Sequence, residues 1–406
     1  MLTAPATPHY PDRTMTIKFV AALAVSLATI SFQSRADVIK VGVIAPMSGP
    51  FSVVGQTWEG ATKAYQKLNG TTVGKHTIEV VYRDLPEINP AQAKALAQEL
   101  IVKEGAQYIA GLYFTPDTLA VAALAQEAKV PVVIFNASTS SLLDKSDFLL
   151  RTSYTLPQMA VPVAKYALEK SVRNVVTLVS DFGPGLDAEK SFTTAFIGGG
   201  GKLLEAIRAP LKTTDFGPLM QRVKALKPDA LYVFAPGGPS TYAMVKAYNE
   251  AGLRTAGVRF LGTAETDEDQ LRAIGPELLG IETGMFYSAT HNSALNNALI
   301  KAFGEVAPKA IPTVQLANAY DGLHVIYRMV QATDGQRDGV KALASAKGYA
   351  WESPRGPVKI DPTSREFVQN VYMRVVEKDP SGRFVNREFR TFEMQPDYGR
   401  TQNVSK

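Results

Sequence analysis

Short β-rich runs alternate with helical stretches along the chain from Val38 onwards. The first runs are VIKVGVI at 38–44, IEVVYRD at 78–84 and YIAGLY at 108–113, and each precedes a stretch with helical periodicity. Strands that alternate with helices form a parallel sheet covered by helices on both faces. The pattern therefore predicts an α/β fold.

A second series of the same kind begins with NVVTLVSD at 174–181 and ends with RFLGT at 259–263. Helical stretches resume after residue 288, and two late strands follow. Two series predict two Rossmann-like lobes, and the late helices predict a hinge that the chain crosses more than once around a central cleft. The predicted boundaries are 37–153 plus 289–365 for lobe I and 154–288 plus 366–395 for lobe II.

The N-terminal 36 residues have the pattern of a secretory signal. A basic residue precedes an apolar stretch at 19–32, and Ser-Arg-Ala at 34–36 resembles a cleavage site. Met15 is a better initiator than Met1, because the fourteen residues before Met15 make the N-terminal basic region of the signal unusually long. We expect a mature chain that begins at Asp37 and lies outside the cytoplasm, with an uncleaved membrane anchor as the alternative.

Composition excludes several classes of function. The chain has 406 residues, 46% of them hydrophobic and 20% charged, with a net charge of +5 and no cysteine. A small, evenly spread charge argues against nucleic acid, and the absence of cysteine excludes a lipoprotein anchor, disulfides and thiolate metal sites. The four histidines show no metal-ligand spacing, so we expect neither a metal nor a cofactor.

Ligands of open α/β sheets bind beyond the C-terminal ends of the strands, so these loops hold the candidate residues. In the loop MSGPFSVVGQ, Ser48 offers a hydroxyl, while Phe51, Val54 and Trp58 could form an apolar wall. The alternative is a plain turn followed by a core tryptophan.

Two further loops carry hydroxyl groups. Thr115 followed by Pro116 predicts a helix N-cap, and such a positive helix end accepts a carboxylate without a basic side chain. Ser138 and Thr139 follow the next strand and could face the same anion. The alternatives are that Thr115 only caps its helix and that 135–141 is a solvated turn.

The loop SDFGPGLDA contains a relaxed dinucleotide fingerprint formed by Gly183, Gly185 and Ala188, with Glu205 about 20 residues further on. Pro184 inside the turn and the export signal argue against a nicotinamide cofactor. No constellation for nucleophilic catalysis accompanies the loop, so we assign no catalytic residue.

Taken together, the segments IKVGVIAPMSGPFSVVGQTWEGA, VPVVIFNAST, DFGPGLDAEKSF and TDFGPLMQRVKALKPDALYVF resemble the type I periplasmic solute-binding proteins of ABC importers, in the branched-chain amino acid branch. The resemblance covers nearly all of the chain after the signal. It implies a monomeric, two-lobed clamp that closes on a small solute, presents it to an inner-membrane permease and is not an enzyme.

The resemblance also implies site residues. Thr115 and Thr139 match positions whose hydroxyls bind the ligand carboxylate, and Ala137 and Ser138 match positions that supply backbone contacts. Val54 replaces a tyrosine of the leucine-binding members, so the pocket stays apolar but changes shape.

The ligand class depends on the group that would bind an amine. Amino acid binders often carry a tyrosine in the loop where this chain has Gly237 and Gly238, so Glu265 or Asp267 would have to serve instead. Because burying an unpaired ammonium is costly, and because the aromatic Tyr113 adjoins the carboxylate site, an aromatic acid is favoured over a hydrophobic amino acid.

The sequence thus predicts a periplasmic substrate-binding component of an ABC transporter for a small carboxylate. The alternatives are a ligand-sensing receptor of the same fold and a dinucleotide-binding enzyme. The predicted ligand-binding residues are Ser48, Val54, Trp58, Tyr113, Thr115, Ala137, Ser138, Thr139, Phe182, Gly238 and Glu265.

Overall fold

The structure, a computed structural model, describes residues 1–9 and 37–401. The predicted signal at 15–36, its start at Met15 and its cleavage site lie outside the described residues. Among the described residues, no helix is long and apolar enough to cross a bilayer. Residues 37–401 belong to one compact unit.

The first sheet has six strands within the described chain. They are β1 (Val38–Ala45), β2 (Thr72–Val73), β3 (His76–Asp84), β4 (Tyr108–Gly111), β5 (Val132–Ile134) and β6 (Leu149–Arg151). Their order is β2-β3-β1-β4-β5-β6, and all pairs except β2 with β3 are parallel. Strands β4, β5 and β6 are buried at every position, as expected for a sheet covered on both faces.

The second sheet contains the remaining strands of the described chain. They are β7 (Asn174–Ser180), β8 (Lys202–Ala209), β9 (Ala230–Phe234), β10 (Arg259–Gly262), β11 (Glu282–Met285), β12 (Ala350–Ser353), β13 (Gly356–Ile360), β14 (Phe367–Lys378) and β15 (Phe384–Gln395). The order is β12-β13-β14-β11-β10-β9-β7-β8, with β15 paired to β14. Strands β7 to β11 are parallel, but the late strands pair antiparallel, so this sheet is mixed and not purely parallel as expected.

Helices connect the strands and cover both sheets. They are α1 (Ser52–Asn69), α2 (Pro90–Val102), α3 (Thr115–Ala128), α4 (Leu156–Glu169), α5 (Gly183–Gly198), α6 (Gly217–Leu226), α7 (Gly238–Glu250), α8 (Glu268–Ile274), α9 (Ala294–Val306), α10 (Gln315–Thr333), α11 (Gly339–Ala346) and α12 (Tyr398–Thr401). This arrangement confirms the predicted α/β fold with two helix-flanked sheets.

The chain passes from one sheet to the other more than once. It leaves the first sheet after β6, returns after β11 as α9 and α10, which pack against α1, and rejoins the second sheet through β12 to β14. Strands β12 and β13 pair with the second sheet, whereas Val358 and Ile360 pack in the core of the first. The lobe boundaries 37–153 plus 289–365 and 154–288 plus 366–395 remain a prediction.

Two of the longer elements were not predicted from the sequence. Helix α4 is buried on most sides, and its sequence LPQMAVPVAKYALE has only a narrow polar face formed by Gln158, Lys165 and Glu169. Prolines at 157 and 162 disguise the helix further. The side chain of Thr155 accepts a hydrogen bond from the backbone N–H of Gln158 and starts the helix. Strand β15 has a largely solvent-exposed sequence and forms a hairpin with β14.

Candidate functional site

A cavity of about 200 Å³ lies where the C-terminal ends of the two sets of parallel strands face each other. Its walls come from the loops after β1, β4 and β5, the loops after β7, β9 and β10, and the start of α10. Parallel strands direct their C-terminal loops to the same edge, which explains why distant segments meet here. An apolar cavity of ~150 Å³ holds benzene, so this one is sized for a single substituted ring.

Aromatic rings form much of the cavity wall. In the first sheet's loops, Phe51 lies 5.6 Å from Tyr113 and 5.0 Å from Phe114, measured between ring centroids. On the opposite wall, Phe182 stacks on Phe234 at 6.1 Å. The described aromatic residues that line the cavity are Phe51, Tyr113, Phe114, Tyr154, Phe182, Phe234 and Tyr242.

Thr115 lies at the cavity wall, but it does not cap its helix as predicted. It is the first residue of α3, and Phe114 occupies the N-cap position, where its side chain makes no capping hydrogen bond. The hydroxyl of Thr115 instead lies 2.9 Å from the hydroxyl of Thr139. Thr115 therefore keeps a hydroxyl beside the first, unpaired N–H groups of the helix, where an anion is stabilised.

The neighbouring loop contributes Ser138, which lines the cavity and is 5% exposed. Ala137 does not line the cavity, and its N–H donates to the carbonyl of Leu112. Thr139 does not line the cavity either, and its carbonyl accepts a hydrogen bond from Arg151. Thr139 is thus placed to orient Thr115.

Trp58 is fully buried and does not reach the cavity. Its indole N–H donates to Gln315 Oε1 at 3.1 Å, and Gln315 Nε2 donates to Asn136 Oδ1 at 2.8 Å. Asn136 in turn donates to the carbonyl of Tyr113 at 2.9 Å. Trp58 therefore holds the cavity wall in place through this series of hydrogen bonds. Asn136 and Gln315, which belong to the series, line the cavity and were not predicted.

The loop after β7 has a structural use for the glycines of the dinucleotide fingerprint. A Cβ at Gly185 would lie 1.9 Å from the carbonyl oxygen of Ser180, so only glycine fits. Phe182 lines the cavity, whereas Glu205 pairs with Arg222 and does not. Neither Gly183 nor Gly185 lines the cavity.

Gly237 and Gly238 lie in the loop that opens α7, with φ angles of +93° and +62°. These left-handed conformations favour glycine. Gly238 lines the cavity, and a Cβ there would lie 3.9 Å from the ring of Phe51. The glycines let this loop approach the opposite wall, where the hydroxyl of Tyr113 donates to the carbonyl of Pro236 at 3.1 Å.

Glu265 is 1% exposed and does not line the cavity. Its carboxyl oxygens accept hydrogen bonds from the backbone N–H groups of Ala235 and Thr263. Burial raises the pKa of Glu265 to about 7. The carboxyl is therefore occupied by the backbone between β9 and β10 and is not placed to bind a ligand amine.

Two other carboxyls and an amide line the cavity at the start of α8. Asp267 caps this helix through the N–H of Glu268 and also accepts the N–H of Val314 at 3.1 Å. Burial raises the pKa of Asp267 well above its usual range, and Asp269 reaches a pKa of about 7 through burial and the nearby Asp267. Gln270 Nε2 donates to Asp269 Oδ2 at 2.9 Å.

Ser48 is turned away from the cavity, because its hydroxyl and N–H both bond to the carboxylate of Asp84. The structure thus brings six of the predicted site residues to the cavity and leaves five outside it. Those at the wall are Val54, Tyr113, Thr115, Ser138, Phe182 and Gly238, and those outside are Ser48, Trp58, Ala137, Thr139 and Glu265.

The sequence analysis missed Tyr154, Phe234, Asp269 and Gln270 at the wall. Phe234 ends β9, so the strand-end rule that singled out the other loops applied to it as well. Asp269 and Gln270 lie on α8, just after Glu265 and Asp267, the two residues of this segment that were considered as partners of a ligand amine. Tyr154 lies in the crossover between the sheets, and no local sequence signal marks it.

The family model for periplasmic binding proteins matches residues 38–381. The chain belongs to the periplasmic binding protein family. A relative from Brucella abortus (strain 2308), named Leu/Ile/Val-binding protein homolog 6, is 46% identical over 94% of this chain and 99% of its own length.

Solved structures of the family extend this likeness. A solute-binding protein of an ABC transporter from Rhodopseudomonas palustris HaA2, in complex with p-hydroxybenzoic acid, is 48% identical, with a TM-score of 0.88 over 90% of this chain and 100% of its own. One from Rhodopseudomonas palustris BisB5, in complex with 3,4-dihydroxybenzoic acid, is 40% identical, with a TM-score of 0.85 over 90% and 99%. The predicted resemblance to type I solute-binding proteins of ABC importers is confirmed.

Proposed function

We propose that this protein captures an aromatic carboxylate between its two sheets in the periplasm and delivers it to the permease of an ABC importer. The observation that carries the proposal is a ring-sized cavity with aromatic side chains on both walls, edge-to-face on one and stacked on the other, and the N-terminus of α3 at one face. Aromatic pairs gain energy beyond the area that they bury, so such walls favour a flat ring.

The ligand carboxylate would lie at the hydroxyls of Thr115 and Ser138 and at the first N–H groups of α3. Among the described residues that line the cavity there is no lysine, arginine or histidine. Neutral donors at a helix N-terminus would therefore have to hold the anion. Burial raises the pKa of Asp269 to about 7, which supports this assignment because a partly protonated carboxyl repels the anion less.

A hydrophobic amino acid is the second candidate. The name of the Brucella relative and the two carboxyls at the cavity wall favour it, because a carboxylate can hold an ammonium. The backbone bonds of Glu265 and the glycines at 237 and 238 weigh against it. A family of solute-binding proteins gives no support to the dinucleotide enzyme, and we propose a binding function without catalysis.

A thermal-shift screen of the purified protein tests the two candidates. Benzoate, 4-hydroxybenzoate and 3,4-dihydroxybenzoate are compared with leucine, isoleucine, valine and phenylalanine. A ligand at 100 times its dissociation constant stabilises the native state by ~2.7 kcal/mol, which shifts the midpoint clearly. We expect shifts with the aromatic acids. Shifts with the amino acids alone would refute the aromatic proposal.

A further inference from the structure

The end of the cavity formed by α8 carries a buried hydrogen-bond acceptor with no donor. Gln270 is 1% exposed and lines the cavity. Its Nε2 donates to Asp269, but its Oε1 has no hydrogen-bond partner among the described residues. A buried amide oxygen without a donor costs free energy, so native proteins seldom retain one without a reason.

None of the described groups around Gln270 Oε1 donates a hydrogen bond to it. Among its neighbours at the wall, Asp269 accepts from Gln270 Nε2, and Asp267 accepts the N–H groups of Val314 and Glu268. The side chain of Tyr242 lines the same cavity on the adjacent α7. The cavity as a whole has neutral donors at the face formed by α3 and an unfilled acceptor at the face formed by α8.

We propose that Gln270 Oε1 accepts a hydrogen bond from a hydroxyl on the ligand's ring, so that the protein selects hydroxylated aromatic acids over their unsubstituted counterparts. The inference rests on the proposed function, because the carboxylate at α3 fixes which edge of the ring faces α8. A rigid ring with a carboxylate at one edge and a hydroxyl at the opposite edge satisfies both faces together.

A neutral hydroxyl suits this end better than an ammonium. Burial raises the pKa of Asp269 to about 7, so this carboxyl carries only part of a charge at neutral pH, and the carboxyl oxygens of Asp267 already accept the N–H groups of Glu268 and Val314. A buried ammonium without a paired carboxylate is costly, whereas a hydroxyl needs only one acceptor.

Calorimetric titration of the purified protein with 4-hydroxybenzoate and 4-methylbenzoate tests the inference, because a methyl group has nearly the size of a hydroxyl but cannot donate. We expect 4-hydroxybenzoate to bind at least roughly tenfold more tightly, since a site built for a hydroxyl rejects analogues that lack it. Gln270→Met should remove most of that preference by weakening 4-hydroxybenzoate alone. The same substitution at the exposed Gln92 is the matched control.

The outcomes of these titrations distinguish a failure of the role of Gln270 from a failure of the proposed function. Equal affinity for the two ligands, or an unchanged preference in Gln270→Met, overturns the role of Gln270 and leaves the proposed function standing. Tighter binding of 4-(aminomethyl)benzoate than of 4-hydroxybenzoate overturns it in favour of an ammonium. If no aromatic acid binds, the proposed function fails and this inference fails with it. The wild-type comparison stands even where Gln270→Met does not fold.

Discussion

The two faces of the cavity differ in the polar chemistry that they present. The face formed by α3 offers the hydroxyls of Thr115 and Ser138 and the positive end of the helix, which can donate to an anion. The face formed by α8 offers Gln270 Oε1, an acceptor without a donor, beside Asp267 and Asp269, whose carboxyl oxygens accept N–H groups. Between them the walls are aromatic. The difference indicates an oriented ligand, with its anionic end at α3 and a proton donor at α8.

The largest expected effect comes from the face formed by α3, called here the donor face, with the hydroxyls of Thr115 and Ser138. Thr115→Val keeps the shape of the side chain and removes its hydroxyl, so affinity for 4-hydroxybenzoate should fall by roughly 5- to 150-fold, the equivalent of ~1–3 kcal/mol. Thr139→Val removes a hydroxyl that bonds Thr115 but does not line the cavity, so its effect should be smaller. Calorimetry on both variants shows which substitution lowers the affinity more. A larger loss in Thr139→Val than in Thr115→Val would place the carboxylate on Thr139.

The aromatic wall should contribute next. Phe182→Leu keeps an apolar side chain but removes the ring that stacks with Phe234 and faces the ligand. An aromatic pair contributes ~0.5–1.5 kcal/mol beyond burial, so affinity for an aromatic acid should fall by roughly 2- to 13-fold. Aliphatic carboxylates of similar size serve as the control. If their affinity falls equally, Phe182 provides only volume.

The face formed by α8, called here the accepting face, consists of Asp267, Asp269 and Gln270. One of these residues, Asp269, predicts a pH dependence of stability in the absence of ligand. Burial raises the pKa of Asp269 to about 7, so between its ordinary value and pH 7 the folded protein holds a proton that the unfolded chain has lost. The free energy of unfolding should therefore decrease as the pH rises through this range. Asp269→Asn should flatten that decrease in chemical denaturation from pH 5 to pH 8.

Asp379 gives a control of opposite sign. Its hydrogen bond with Ser381 lowers its pKa below the usual range, so Asp379 adds stability above its ordinary pKa and loses it as the pH falls. Asp379→Asn should therefore leave the slope between pH 5 and pH 8 unchanged. A slope unchanged in Asp269→Asn as well would contradict the account of the accepting face.

The smallest expected effect concerns Glu265. Its carboxyl bonds to the backbone of Ala235 and Thr263, so Glu265→Gln should change the affinity for 4-hydroxybenzoate by less than about twofold, or ~0.4 kcal/mol. The stability of the variant is measured in parallel, because a backbone N–H loses part of its acceptor. A large loss of amino acid binding would instead show that Glu265 reaches the ligand.

The sequence predicted the fold well because periodicity and strand-end loops are local signals. It predicted the cavity only in part, because a strand-end loop contains residues that point in several directions. Thr115, Ser138 and Phe182 were found through their loops, whereas Trp58 and Glu265 lie in equally suitable positions and turn inward. Those directions depend on long-range partners that no local pattern reveals.

The accepting face was missed for a related reason. Asp269 and Gln270 lie on a short helix whose acidic start has a local explanation as a capping signal, and only the packing of α8 against the cavity gives them another use. Helix α4 was missed because its polar face is narrow and two prolines lie within its sequence.

The central claim is that the cavity binds an aromatic acid by its carboxylate, and one titration tests it most directly. The purified protein is titrated calorimetrically with 4-hydroxybenzoate and with 4-hydroxybenzyl alcohol, which has the same ring and hydroxyl but no carboxylate. The account predicts saturable binding of the acid and none of the alcohol at the same concentrations. Equal binding of the two, or binding of leucine with no response to the acid, would contradict it.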